Sequence, residues 1–262
     1  MQVSGLLIDL DGVVYVGDEA LPGAVAAVQW LQRQGVPHLF LTNTTSRPRE
    51  ALVAKLARMG IQVEKERILT PPVVARRWIQ AQEMEPVALF VPEATAVEFA
   101  GLTSGEAGAV RAVVVGDLGE GWDFQTLNRA FRLLMEGEGC ALLALGMTRY
   151  WRAPDGLRLD TGPFVQALAY ASDKTPVVMG KPAREFFLAA CEVLGLAPAR
   201  VAMLGDDVVT DVGGAQAAGL AGVLVQTGKY RPEDLQGAVR PDACLPSLGQ
   251  LPELWPGLAS CD

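Results

Sequence analysis

The chain has 262 residues, half of them hydrophobic, with a single histidine and a formal net charge of −8. That length supports a large core and more than one domain. No lysine- and arginine-rich run offers a track for nucleic acid, no apolar stretch approaches the ~20 residues of a membrane span, and the N-terminus lacks a signal-peptide pattern. The single histidine, His38, excludes a multi-histidine metal centre, and four scattered cysteines (Cys140, Cys191, Cys244, Cys261) without a CxxC pair argue against a disulfide framework or zinc site and for a reducing cytoplasm.

The first expected strand, Val3–Ile8, runs straight into Asp9-Leu10-Asp11-Gly12. Read as a buried parallel strand, it carries both carboxylates to its C-terminal end, where open α/β sheets bind ligands. Strand alternation places Asp9 and Asp11 on one side. Two like charges there call for a metal, a proton or a reaction; Asp11-Gly12 by itself also reads as a tight turn. A helix is expected over Gly23–Gln34. His38 then opens the strand Val36–Leu41, at the end away from the aspartates, as a structural residue.

That strand ends in Thr42-Asn43-Thr44, whose hydroxyls and amide can hold phosphate oxygens or cap the helix expected at Pro48–Met59. Pro71-Pro72 reads as a break in the pattern. Strands follow at Val87–Val91, Ala112–Val115 and Ala141–Leu145, with a helix at Phe124–Met135 and an unassigned stretch over 95–110. Arg149–Leu159 reads as a hairpin about Pro154-Asp155-Gly156. The strand Pro176–Met179 leads into Gly180-Lys181-Pro182 and a helix over Ala183–Leu194. With only five lysines against seventeen arginines, Lys181 stands out: its compact ammonium can neutralise a phosphoryl group and a carboxylate together, or simply lie in a surface turn. Val201–Leu204 ends in Gly205-Asp206-Asp207, with Asp211 at the start of the next helix and a last strand at Gly222–Val225.

Alternating strands and helices predict an α/β fold with parallel sheets. Asp9, Thr42, Lys181 and Asp206 each follow an expected strand, so one sheet edge can gather them. Two carboxylates about 5 Å apart repel by about 3 kcal/mol at an effective dielectric near 20. Lys181 offsets only part of that, and an all-oxygen donor set selects a hard divalent ion, Mg2+.

These four elements together resemble the motifs of the haloacid dehalogenase-like hydrolase superfamily: DxDGV, Thr-Asn after the second strand, Gly-Lys-Pro, and GDD with a later aspartate. The resemblance implies a Rossmann-like core of residues 1–72 plus 179–262. The long separation of Thr42 from Lys181 resembles members with an α/β C2 cap, here 73–178. Thr42-Asn43, Lys55-Leu56, Thr161-Gly162-Pro163-Phe164 and Thr227-Gly228-Lys229-Tyr230 are similar to the NagD-type branch, including its uncharacterised members and those cleaving phospholysine, phosphohistidine and pyrophosphate.

By that resemblance the chain is a Mg2+-dependent phosphatase of a small phosphomonoester. Asp9 is the nucleophile that becomes an aspartyl-phosphate, and Asp11 protonates the leaving oxygen and then activates water. Thr42, Asn43 and Lys181 hold the phosphate. Asp9, the carbonyl of Asp11 and Asp206 hold Mg2+, and Asp207 and Asp211 act from behind them. An acid at position 11 favours phosphatases and mutases over the dehalogenase and ion-pump branches. The alternatives are an inorganic pyrophosphatase, a protein phosphohistidine or phospholysine phosphatase, or a noncatalytic phosphate- or Mg2+-binding scaffold. The cap is expected to set the substrate, with Arg149, Tyr150 and Trp151 either lining its entrance or packing on its sheet. A homodimer through the cap is implied as well, with neither nucleic acid nor membrane as partner.

Overall fold

The structure, a computed structural model, describes residues 2–105, 109–153 and 155–258. Pro154 of the expected turn and Cys261 lie outside them. In chain order the strands are β1 (Gly5–Asp9), β2 (Tyr15–Val16), β3 (Glu19–Ala20), β4 (His38–Leu41), β5 (Ile68–Leu69), β6 (Val87–Phe90) and β7 (Ala112–Val115). They continue as β8 (Ala141–Ala144), β9 (Tyr150–Ala153), β10 (Gly156–Leu159), β11 (Val177–Val178), β12 (Val201–Gly205), β13 (Ala221–Val225) and β14 (Ala243–Leu245). The chain divides into two compact units, one of residues 1–42, 49–69 and 181–262, the other of residues 43–48 and 70–180.

The first unit is built on a parallel six-stranded sheet in the order β14-β13-β12-β1-β4-β5. Strand β1 is fully buried because Leu6, Leu7 and Ile8 leave no polar side chain for either face. From β1 the chain builds outward through β4 to β5 on one side, then returns to β12 and builds outward to β14 on the other, so the strand order reverses beside β1. That reversal opens a crevice at the C-terminal strand ends.

The helix Ala24–Gln34 shows how sequence sets this packing. Ala24, Ala27, Val28 and Leu31 are buried at helical spacing, and Val28 and Leu31 join the cluster of Leu6, Ile8 and Leu204. Each of these two larger side chains contributes about 2 kcal/mol on burial, so an aspartate at position 31 would break the contact. Gly35, in the left-handed region, ends the helix by donating its N–H to the carbonyls of Gln32 and Leu31.

The second unit holds a parallel four-stranded sheet, β11-β8-β7-β6, and the antiparallel hairpin β9–β10. The helices Phe124–Glu136 and Thr161–Ser172 cover it through Leu133, Leu134, Val165 and Leu168. Trp122 stacks against Phe90 and Phe164 at centroid distances of 5.8 and 5.0 Å.

The architecture is the expected α/β fold, with three local corrections. Pro71-Pro72 does not break the pattern but opens the helix Pro71–Ala81, in which proline's missing N–H costs nothing in the first turn. Strand β1 ends at Asp9, so alternation does not extend to Asp11, which meets Tyr15 in an isolated bridge instead. The strand before Lys181, β11, pairs with β8 in the second sheet and not with the six-stranded sheet. Among the described residues, no helix is long and apolar enough to cross a membrane.

Candidate active site

Four residues predicted from three separate motifs meet inside the first unit. Asp9 closes β1, Lys181 opens the segment that returns to this unit, Asp206 follows β12, and Asp211 lies in the π-helical turn Val208–Gly213. All four are buried. Asp9, Asp206 and Asp211 each present a carboxylate oxygen within 4.8 Å of the others.

Lys181 is the counter-charge. Its ammonium lies 2.8 Å from Asp9 Oδ1 and 2.6 Å from Asp211 Oδ1. Burial works against its charge, but the carboxylates of Asp211 and Asp9 outweigh that and hold it above the ordinary lysine range. Lys181 is therefore a permanent cation here. Asp9 Oδ1 also accepts the Leu10 N–H at 2.8 Å, so both recorded contacts fall on the same oxygen. Burial pushes the Asp9 carboxyl up, against the pull of Lys181. Asp211 is pushed up to about 6, first by burial and then by the charge of Asp9, despite its ion pair.

One cation for three acids leaves the cluster short of positive charge. Asp206 is raised first by burial and further by Asp211, and the backbone N–H of Lys229 opposes this with a 2.7 Å bond to Oδ2. Its other oxygen, Oδ1, is buried and has no hydrogen-bond partner among the described residues. An orphaned carboxylate oxygen in an all-oxygen cluster fits a hard divalent cation such as Mg2+. Asp9 and Asp206 would hold it.

Neighbouring residues hold this cluster in place. Asp207 Oδ1 accepts the N–H groups of Val209 and Thr210 at 3.0 Å, which caps the turn carrying Asp211. Burial would raise Asp207, but those bonds and the charge of Lys229 hold it below the usual carboxylate range. The Asp207 N–H in turn donates to Asp211 Oδ2 at 3.1 Å. Gly205 has to be glycine, since a Cβ there would run into the Asp211 carboxylate.

The other predicted residues are placed differently. Thr42 is buried just past Leu41, the register partner of Asp9, and so lies at the same sheet edge. Asp11 lies two residues beyond β1, exposed, outside the buried trio. Asn43 belongs to the second unit, against Gly180. In that unit Tyr150 and Trp151 are exposed on the hairpin. His38 opens β4 and bonds through Nδ1 to the Val36 carbonyl at 2.7 Å, a structural role.

Sequence reasoning gave no role to the loop Thr227-Gly228-Lys229. Thr227 Oγ1 donates to the Gly12 carbonyl at 2.5 Å. Gly12 and Gly228, both with φ in the left-handed region, flank the Asp206 carboxylate so closely that a Cβ on either would overlap it. The available signal was two glycines, each following a strand segment, within motif-like stretches.

Known proteins with the same pattern bear on this geometry. The profile described as haloacid dehalogenase-like hydrolase matches residues 6–102, and a HAD-hydrolase-like profile matches 178–251. The chain is 39% identical to haloacid dehalogenase-like hydrolase domain-containing protein 2 of Bos taurus, over 88% of this chain and 87% of that one. It is also 39% identical to phospholysine phosphohistidine inorganic pyrophosphate phosphatase of Danio rerio, over 94% and 92%. Among solved structures, a p-nitrophenyl phosphatase from Archaeoglobus fulgidus is 28% identical, superposes with a TM-score of 0.88 and covers 97% of this chain and 99% of that one.

Proposed function

The chain belongs to the haloacid dehalogenase-like hydrolases, in their NagD-type branch, and is a hydrolase of phosphoric ester bonds; from that premise we propose that it is a Mg2+-dependent phosphatase of a small phosphomonoester, working through a phosphorylated Asp9. The observation that carries this reading is the Asp9 carboxylate, held on one oxygen by Lys181 and set among Asp206 and Asp211.

In this mechanism Asp9 Oδ2, the oxygen opposite the one bound to Lys181, attacks phosphorus and forms the aspartyl-phosphate. Lys181 favours the ionised form of Asp9 against the effect of burial and takes up charge from the phosphoryl oxygens. Thr42, at the same sheet edge, donates its hydroxyl to them. Asp11 is free of the buried cluster and exposed, which suits a group that must gain and lose a proton. It gives that proton to the leaving oxygen and then takes one from the water that cleaves the acyl phosphate. Bound Mg2+, held by Asp9, Asp206 and the Asp11 carbonyl, would supply charge neutralisation for substrate and acids together. Asp211 and Asp207 orient these groups from behind, and Asn43 assists phosphate binding.

A second reading is hydrolysis of pyrophosphate or of phospholysine and phosphohistidine, which the name of the 39% identical Danio rerio relative supports. Phosphate release from p-nitrophenyl phosphate, sugar phosphates, nucleotides, pyrophosphate and phosphoamino acids, with and without Mg2+, tests both. Mg2+-dependent release led by small phosphomonoesters supports the first reading. Release confined to pyrophosphate or phosphoamino acids replaces it with the second, and no release from any of them overturns both.

A further inference from the structure

Lys55 is a buried cation that the proposed chemistry does not use. It lies on the helix Arg49–Arg58 of the first unit and is 7% exposed. Burying an ammonium is costly unless something replaces its water. Here the replacement is a ring: Lys55 Nζ sits 3.7 Å from the centroid of Tyr15, itself fully buried. A cation over a desolvated aromatic face is among the stronger forms of this contact. The same ammonium lies 3.9 Å from Asp18 Oδ1. Lys65, the other lysine near this helix, makes an ordinary exposed pair with Glu50 at 3.1 Å.

Tyr15 and Asp18 belong to one small structure. Strands β2 and β3 form an antiparallel hairpin with only two residue pairs, Tyr15 with Ala20 and Val16 with Glu19, and Asp18 lies at its tip. A hairpin that short does not hold itself together in water. Lys55 Nζ lies over the ring at its base and 3.9 Å from the exposed carboxylate at its tip, so one side chain links both ends of the hairpin to the helix.

The backbone links the hairpin to the site. The Gly12 N–H donates to the Tyr15 carbonyl at 2.8 Å, and the N–H groups of Val14 and Tyr15 both donate to the Leu10 carbonyl. Asp11 lies inside this loop and pairs with Tyr15 in the isolated bridge. Beyond the end of β1 no strand register holds Asp11, so its backbone is placed by this loop, through Tyr15 on one side and the Thr227 bond to the Gly12 carbonyl on the other.

We propose that Lys55 is a positioning residue for Asp11, acting through the ring of Tyr15. The proposal rests on the phosphatase reading, in which Asp11 moves the proton. Its charge and not its bulk does the positioning, because the methylene stem could pack equally well without the ammonium.

The test uses the full chain with Lys55→Met, which keeps the stem and removes the charge, and Lys55→Arg, which keeps a cation for the ring. In Lys55→Met, kcat with p-nitrophenyl phosphate and Mg2+ is expected to fall about tenfold with KM within twofold, and Lys55→Arg to recover most of it. Independently of activity, amide hydrogen exchange at Gly12 and Tyr15 is expected to speed up about tenfold in Lys55→Met, while Met203 in β12 keeps its rate. Unchanged kcat and unchanged Gly12 exchange in a folded Lys55→Met protein would overturn the proposal. Equal acceleration at Met203 would overturn it too, since that is a general loss of stability. A wild-type protein that releases no phosphate from any substrate sinks the phosphatase reading and the proposal with it. Wild-type turnover with an unaffected Lys55→Met variant sinks the proposal alone.

Discussion

The backbone N–H of Lys229 donates to Asp206 Oδ2 at 2.7 Å, across 23 residues of sequence. That bond fixes which oxygen of Asp206 remains for a metal, because Oδ1 is left buried and unbonded among the described residues. The loop carrying Lys229 thereby takes part in building the site without offering a side chain to the chemistry.

Replacing Asp206 by alanine removes the orphaned oxygen. Mg2+ affinity, measured by calorimetry on the purified protein, is expected to drop at least a hundredfold, about 3 kcal/mol. Unchanged affinity would place the metal elsewhere.

Gly12→Ala tests the shape of the cradle. Gly12 adopts φ +85°, and a Cβ there would meet the Asp206 carboxylate. The strain and the overlap together should displace Asp206 and weaken Mg2+ binding by tenfold or more, about 1.4 kcal/mol. Binding as tight as in wild type would mean that the loop gives way and the carboxylate does not depend on it.

Asp9→Asn keeps the size of the side chain and removes the nucleophile. Phosphate release is expected to fall by three decades or more, about 4 kcal/mol of barrier. Turnover near the wild-type rate would end the aspartyl-phosphate mechanism.

Lys181→Met leaves Asp9 and Asp211 facing each other in a buried site without their counter-charge. Removing one partner of a buried ion pair costs about 3–5 kcal/mol. The thermal midpoint in chelator should fall accordingly, and added Mg2+ should restore part of it. An unchanged midpoint in chelator would show that the acids neutralise themselves by taking up protons.

His38 supplies a pH-dependence of stability remote from the chemistry. Burial holds it below the ordinary histidine value, the bond to the Val36 carbonyl opposes this, and the Arg67 charge adds to the lowering. The folded protein therefore takes up this proton less readily than the unfolded chain. The stability it contributes is complete above the unfolded value of about 6.5 and is lost as pH falls toward the folded value. Its imidazole resonance, unambiguous in a chain with one histidine, should titrate below that value, and His38→Gln should flatten the fall in thermal midpoint between pH 7 and 5.5. A midpoint at or above the ordinary value would contradict the burial argument.

The sequence made the strand ends legible because they combine two strong signals, a solid apolar run and an abrupt polar stop. Leu6-Leu7-Ile8 before Asp9 and Met203-Leu204-Gly205 before Asp206 are of this kind, and both belong to the central strands. The strand before Lys181 was also legible, but nothing in Val177-Val178 tells which sheet it joins, because parallel pairing partners are chosen by long-range contacts. Pro71-Pro72 misled for a local reason: proline both breaks helices and starts them, and only its position separates the two. The Thr227–Lys229 loop binds Asp206 through the backbone N–H of Lys229, a group every residue type possesses, and its Thr227 hydroxyl and Gly228 act on Gly12 and Asp206 across more than twenty residues of sequence, so its composition gave little warning. Lys55 was visible as a residue type, but its stacking on Tyr15 requires a helix and a hairpin distant in sequence to meet.

The division of the first unit into three chain segments has a consequence for how the protein is made. During synthesis β1 emerges first, yet its partner β12 and the residues Lys181, Asp206 and Asp211 that face Asp9 emerge nearly two hundred residues later. Residues 70–180 form a nearly continuous stretch with their own sheet and core, and they are complete before that happens. Vectorial folding therefore favours the inserted unit first. Until the C-terminal third arrives, β1 lacks its β12 partner and Asp9 lacks the Lys181 ammonium, so the nascent chain carries an unfinished sheet with an exposed pairing edge for most of its synthesis.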